Sequence, residues 1–284
     1  MKVSAILRFV GYITLVLCIM GGIYVIMMSG IYHTPASFVT TSNYSSPEGK
    51  ILVVGGTRGT GLEIVRELLD RGEDVSVMVR ATSNVEKLNK LGVSLVVADA
   101  LVESQVQSIF PPDTFKTVIS TLGTSSKDLP SRQNFLDSLI NGQVKMDPNK
   151  RPDYIGNRNV IDAAKASGVE RFILITVIGT GSSFEALPLP ARRGHNEVIP
   201  LKQKAEEHLR SSGMDYTIIR PGGLANGFST GQAKLTSDTK AFSYMARKDV
   251  AKLTMDALGN PQTIGQTYTA YDSDRLHLYR LFTD

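Results

Sequence analysis

Residues 53–72 read VVGGTRGTGLEIVRELLDRG, and the reading of this stretch decides the fold. The preceding residues complete a short aliphatic run, KILVV at 50–54, of the kind that forms a buried strand. After the glycines, Leu62, Val65, Leu68 and Leu69 recur at helical spacing until Gly72 stops the pattern. The glycine cluster therefore occupies a strand-to-helix turn. In such a turn, bare backbone lets N–H groups at the helix N-terminus meet a pyrophosphate that side chains would hold off. Gly55, Gly59 and Gly61 are the expected contacts, with Thr57, Arg58 and Thr60 between them. The spacing G-x-x-x-G-x-G differs from G-x-G-x-x-G, and Leu62 and Glu63 stand where a P-loop requires Lys and Ser or Thr. A purely structural corner is the alternative reading of the same residues.

The next strand pattern, VSVMV at 75–79, ends in Arg80. A site for NAD would carry Asp or Glu there to bind the ribose 2′-hydroxyl, whereas an arginine suits a 2′-phosphate. Arg58 supplies a second guanidinium for bidentate phosphate binding. The expected cofactor is accordingly NADPH; as solvated surface charges the two arginines would have no such role. Further strand patterns follow at VSLVVADA (93–100), KTVISTLGT (116–124), RFILITVIG (171–179) and DYTIIRPGG (215–223), with helical stretches at 157–168 and 201–213. Alternation of strand and helix predicts an α/β doubly wound parallel sheet of Rossmann type, with ligands at the strand C-terminal ends. That rule places Asp99 near the adenine and Thr121, Leu122 and Gly123 along the ribose side. Residues 125–152 are long and irregular, and either cover the site or cross the surface.

Composition bounds the remainder. A chain of 284 residues with 42% hydrophobic and 20% charged residues supplies one sizeable core. Its net charge of +4 is dispersed rather than gathered in basic runs, which argues against a nucleic-acid partner. No Cys/His set has metal-binding spacing, and the single cysteine, Cys18, falls in an apolar stretch. That stretch, FVGYITLVLCIMGGIYVIMMSGIY at 9–32, contains no charge and exceeds the ~20 residues that cross a bilayer core. It predicts a single-pass membrane anchor over residues 1–32, with a cleaved signal peptide as the alternative. Lys2 and Arg8 precede it and no Lys or Arg follows until Lys50, so the positive-inside rule puts the domain across the membrane from the cytoplasm. Cofactor supply favours the cytosolic side, and the topology stays open. Residues 33–49 are rich in Ser, Thr and Pro and read as a linker, with a glycosylation triplet at Asn43-Tyr44-Ser45; a nucleotide-binding domain occupies 50–284.

Over roughly residues 50–270 the chain resembles the atypical, NmrA-like and flavin/biliverdin-reductase-like branch of the short-chain dehydrogenase/reductase superfamily. The resemblance rests on VVGGTRGTG with Arg80, DYIGNRNVIDAAKASGVERFILIT (153–176), KQKAEEHLRSSGMDYTIIRPGGL (202–224) and ARKDVA (246–251). It implies that Lys202 reaches the nicotinamide ribose and that Pro221 and Gly222 border the nicotinamide ring. Thr176 stands where the family often has a substrate-binding serine, and with Lys202 it is the candidate catalytic residue. The chain departs from the family at the proton donor. Most members carry Tyr-x-x-x-Lys, but four residues before Lys202 stands Val198, which cannot transfer a proton. The literal Tyr244-Met245-Ala246-Arg247-Lys248 lies in the ARKDVA region and reads as coincidence. His195 falls in the expected substrate loop, 179–200, whose Phe184, Leu187, Leu189, Arg192 and Arg193 suit an apolar substrate with an anionic group.

Two functions fit. One is a membrane-anchored NADPH-dependent reductase whose small-molecule acceptor, a flavin, quinone or tetrapyrrole, takes hydride without a tyrosine. The other is a non-catalytic NAD(P)H-dependent sensor or an assembly factor with a membrane-protein partner.

Overall fold

The computed structural model describes residues 3–28, 33–39, 44–124, 147, 151–187 and 198–275. Ten strands lie among them: β1 (Ile51–Val54), β2 (Val75–Val79), β3 (Ser94–Val97), β4 (Thr117–Ser120), β5 (Arg171–Ile175), β6 (Asp215–Pro221), β7 (Gly223–Ala225), β8 (Ala233–Thr236), β9 (Tyr244–Ala246) and β10 (Gln266–Asp272). The main sheet has eight strands in the order β3-β2-β1-β4-β5-β6-β10-β8, and β7 pairs with β9 in a small second sheet. Its neighbours run parallel from β3 through to β10; only the last pair, β10 with β8, is antiparallel. The strand order reverses between β1 and β4, which opens a crevice at their C-terminal ends.

The helices are α1 (Val3–Met28), α2 (Gly59–Asp70), α3 (Glu86–Leu91), α4 (Glu103–Ser108), α5 (Asn157–Ala166), α6 (Val198–Ser211) and α7 (Arg247–Leu258). Alternation along β1 shows why they divide between two faces. Ile51 and Val53 pack with Leu62, Val65 and Leu68 of α2, Leu88 of α3 and Val250 of α7. Leu52 and Val54 pack with Val106 of α4, Val160 and Ala164 of α5, and Ala205 and Leu209 of α6. Both faces of the strand are buried, as a doubly wound sheet requires. Each such aliphatic side chain contributes about 1.5–3 kcal/mol on burial.

Two parts of the fold differ from the sequence reading. The strand patterns at 93–100 and 116–124 give shorter strands, Ser94–Val97 and Thr117–Ser120. In the first case Asp99 stops the strand by accepting the Leu101 amide at 2.9 Å, an Asx turn. The second difference is the β8–β10 edge, whose closing antiparallel pair lies beyond the βαβ pattern.

The stretch expected as a linker is bonded to the domain where it is described. Val39 donates to the Leu235 carbonyl at 2.8 Å and Thr236 to that of Ser37 at 2.7 Å. Tyr44 and Ser46 both donate to Glu73, at 2.8 and 2.6 Å. His33 meets Asp238 at 2.6 Å. Asn43 lies outside the described residues. Among the described residues no helix is long and apolar enough to span a membrane, so the single-pass anchor expected at 1–32 is not borne out here.

Candidate functional site

The glycine turn joins β1 to α2 at the crevice. Gly55 has φ +88°, a left-handed value that disfavours a side chain, and a Cβ there would lie 2.6 Å from Thr121 Oγ1. Gly61 has a different task. A Cβ on it would stand 2.3 Å from the Gly55 carbonyl oxygen, so the bare residue lets α2 seat against the turn. Gly56, to which sequence reading gave no role, is packed under the turn beside Val77 and Val65. Arg58 takes the N-cap position of α2 in extended conformation and supplies no side-chain cap, leaving the first amides of α2 open to an anion. Thr57 and Gly59 are half-buried in the turn and Thr60 is buried.

From the neighbouring strand, Thr121 donates its amide to the Val54 carbonyl at 2.9 Å, holding the ends of β1 and β4 together. The chain then runs as Leu122, Gly123 and Thr124, all half-buried. Lys202 of α6 reaches this point. Its Nζ donates to the Leu122 carbonyl at 2.9 Å and lies 3.4 Å from Asp153 Oδ1. Asp153 is fully buried in a wide π-helical turn, Pro152–Gly156, that precedes α5. Its other oxygen accepts the Thr124 amide at 3.0 Å and the Thr124 hydroxyl, with Arg151 Nε at 3.8 Å. Asn157 braces the same turn, donating to the Asp153 carbonyl at 2.9 Å and receiving the Ser120 hydroxyl at 2.7 Å. A Cβ on Gly123 would come 2.9 Å from Lys202 Nζ and 3.2 Å from Asp153 Oδ1. The missing side chain thus leaves room where a buried cation and a carboxylate oxygen without a hydrogen bond face the crevice. A dinucleotide fits this cradle: open amides at the turn, bare backbone at Gly55 and Gly123, and an ammonium beside Gly123.

Thr176, just past β5, gives its hydroxyl to Glu206 at 2.8 Å. Glu206 is fully buried and also accepts from Thr180 at 2.7 Å, Arg210 at 3.0 Å, and Arg220 at 3.1 and 2.6 Å. Burial opposes the charge on Glu206, but the Arg220 hydrogen bond and charge, with both threonine hydroxyls, outweigh it and hold the carboxyl below its ordinary range. This buried network ties α6 to β6 and to the start of the loop after β5. Pro221 and Gly222 follow Arg220 directly and are buried; a Cβ on Gly222 would overlap the Ser243 carbonyl at 2.0 Å.

Arg80 ends β2 exposed, its backbone amide bonded to Ser83 Oγ at 3.1 Å. Asp99 spends Oδ1 on the Leu101 amide. Tyr244 packs edge-on against Phe242, with ring centroids 5.4 Å apart, and lies over Gly223. Val198 is half-buried in the first turn of α6. His195, Arg192, Arg193 and Leu189 lie outside the described residues, as does most of 125–152. Among the described residues no group of acidic, His or Cys side chains could hold a metal. A cavity of about 260 Å³ sits at the opposite, N-terminal ends of the strands, lined by Lys116, Arg171 and Asp215 among others, and the crevice owes nothing to it.

Sequence reading assigned no part to Asp153, Thr124, Glu206 or Arg220. The signals were nonetheless present. Arg220 interrupts an apolar strand, and a charge in a buried strand demands a partner. Glu206 follows Lys202 by four residues, hence shares its helix face. Asp153 opens DYIGNRNVIDAAKASGVERFILIT, one of the stretches that carry the family resemblance.

The profile of the family described as NAD(P)H-binding matches residues 55–261. Among curated relatives, Protein TIC 62, chloroplastic, from Oryza sativa subsp. japonica is 31% identical over 211 residues, covering 68% of this chain and 39% of that protein. The photosystem II assembly factor Ycf39 of Cyanophora paradoxa is 28% identical over 227 residues, covering 77% of this chain and 62% of its own length. The chain thus spans well under two thirds of the first of these relatives. Among solved structures, ChuY, an anaerobillin reductase from Escherichia coli O157:H7, superposes with a TM-score of 0.65 at 27% identity, covering 79% of this chain and 98% of that one.

Proposed function

The chain belongs to the NAD(P)H-binding family, in its atypical short-chain dehydrogenase/reductase branch, and from that premise we propose a membrane-tethered, NADPH-dependent reductase of conjugated acceptors. The observation that carries the reading is Lys202. Its ammonium is fixed between the Leu122 carbonyl and Asp153 beside the bare backbone of Gly123, while the position four residues earlier is Val198 rather than a phenol. When bound, the nicotinamide supplies hydride. The protein's own part is positioning: Lys202 and Asp153 orient the ribose, and Pro221 and Gly222 wall the ring. Thr176, its hydrogen committed to Glu206, retains lone pairs to receive a donor from the substrate. A flavin, quinone or tetrapyrrole suits such a site, because its conjugated system takes hydride directly and a proton arrives from water. A solved relative named as an anaerobillin reductase supports the tetrapyrrole class.

Arg80 and Arg58 support NADPH over NADH. Both are exposed at the turn end of the crevice, and guanidinium groups suit a 2′-phosphate. The uncharged stretch at 9–32 supports tethering by a single span. A second reading is favoured by the same missing phenol together with relatives named as assembly factors: a nucleotide-dependent sensor or assembly factor that holds a membrane-protein partner without turnover.

The full chain in detergent, given NADPH and a panel of flavins, quinones and linear tetrapyrroles, separates the two. Acceptor-dependent loss of reduced-nicotinamide absorbance is expected. Nucleotide binding with no oxidation above the enzyme-free rate for every acceptor would sink the reductase reading and leave the assembly role.

A further inference from the structure

A third arginine converges on the glycine turn from the far side of the fold. Arg247 opens α7, and α7 packs along α2 through Val250 and its neighbours, which sets the beginnings of the two helices side by side. The Arg247 side chain lies against Gly59: its Nε and Cδ are 3.5 and 3.7 Å from where a Cβ on that glycine would be. Gly59 itself has φ +55°, so a side chain there would be strained as well as crowded. The residue is half-buried, and burial holds its pKa below the ordinary arginine value. Its contact with another side chain is to a neutral one, Nη1 donating to Asn226 Oδ1 at 2.8 Å. A half-buried cation that has no counter-charge among the described residues is stabilised by a bound anion. Asn226 follows β7 directly, so one hydrogen bond ties the phosphate end of the crevice to the segment that begins at Pro221 and Gly222.

Resting on the nucleotide-binding reading above, we propose that Arg247, held in place by Asn226, binds the pyrophosphate of the dinucleotide opposite the α2 N-terminus. Arg80 and Arg247 then divide the cofactor between them: Arg80 reads the 2′-phosphate, which distinguishes the two nicotinamide nucleotides, and Arg247 grips the diphosphate, which both share. Arg58 holds the N-cap position of α2 in the same turn.

Calorimetric titration of the full chain in detergent tests this division with NADPH, NADH and adenosine 2′-phosphate, a probe with no pyrophosphate. Arg247→Gln should weaken NADPH and NADH by the same factor, roughly tenfold or more as expected for a lost charge-assisted hydrogen bond, and leave adenosine 2′-phosphate untouched. Arg247→Lys should recover part of the loss, and Asn226→Ala should show a smaller loss of the same kind. Unchanged binding of both dinucleotides by folded Arg247→Gln overturns the assignment. A loss confined to NADPH and adenosine 2′-phosphate also overturns it, by moving Arg247 to the 2′-phosphate. Failure of the unsubstituted chain to bind either dinucleotide brings down the nucleotide reading itself, a result that no Arg247 variant can mimic.

Discussion

Replacing Asp153 with asparagine tests whether the site at the end of β4 is held by charge. The carboxylate is fully buried, Lys202 and Arg151 are 9% and 2% exposed, and their nitrogens stand 3.4 and 3.8 Å from its oxygens. Asparagine keeps the size and can still accept the Thr124 amide. It removes the negative charge, however, and leaves the buried Lys202 ammonium facing a neutral amide. Breaking a buried pair in this way costs about 3–5 kcal/mol, because the remaining charge has already lost its water. For a domain of this size each kcal/mol lowers the melting temperature by roughly 2–4 °C, so a drop of roughly 6–20 °C is expected. Thermal and urea unfolding of the full chain in detergent measure it, with Lys202→Met and the double variant completing a cycle. Since methionine takes away the Lys202 charge, the double variant should be more stable than the sum of the single losses predicts, by about 0.5–3 kcal/mol. If Asp153→Asn lies within about 0.5 kcal/mol of the parent, and the cycle is additive, the charge argument is wrong.

Gly61→Ala puts a methyl 2.3 Å from the Gly55 carbonyl oxygen; the backbone must move, at a cost of about 1–3 kcal/mol, and nucleotide titration should show binding lost along with stability. Glu206 has a folded pKa below its unfolded value, so its stabilisation is whole above the unfolded value of about 4.3 and is lost as pH falls through the folded pKa. Glu206→Gln should therefore flatten the acid limb of a stability-versus-pH curve, and an unchanged limb would count against the Arg220 pairing. Arg80→Ala should weaken NADPH by roughly tenfold or more through loss of a charge-assisted contact while NADH affinity holds; equal losses for both would move Arg80 away from the 2′-phosphate.

What the sequence disclosed follows from the range of the interactions involved. The turn at 55–61 and the strand before it are local: aliphatic residues, glycines and helical spacing determine them within a few residues, and Arg80 is placed by the same βαβ unit. The parallel run of the first six strands follows from their alternation with helices. The Lys202 site is non-local. Its anchor, Asp153, is brought to the end of β4 by a π-helical turn before α5, and only the folded crossing of α5 and α6 makes the pair. The partner of Thr176 is equally non-local, since its acceptor Glu206 lies 30 positions away on α6. The antiparallel β8–β10 edge is hidden for a similar reason: β8 and β10 meet across a long separation, and the α7 that lies between them belongs to the parallel β6–β10 crossover. Residues 33–39, polar enough to read as a tether, find their hydrogen bonds on that same edge.

The central claim is that the glycine turn, Arg80 and Lys202 together hold NADPH. Calorimetric titration of the full chain in detergent with NADPH and then NADH addresses it most directly. The account predicts saturable one-to-one binding of NADPH, tighter than that of NADH, and a weaker NADPH complex in Lys202→Met. Absence of binding for both nucleotides, with the chain demonstrably folded, would contradict it.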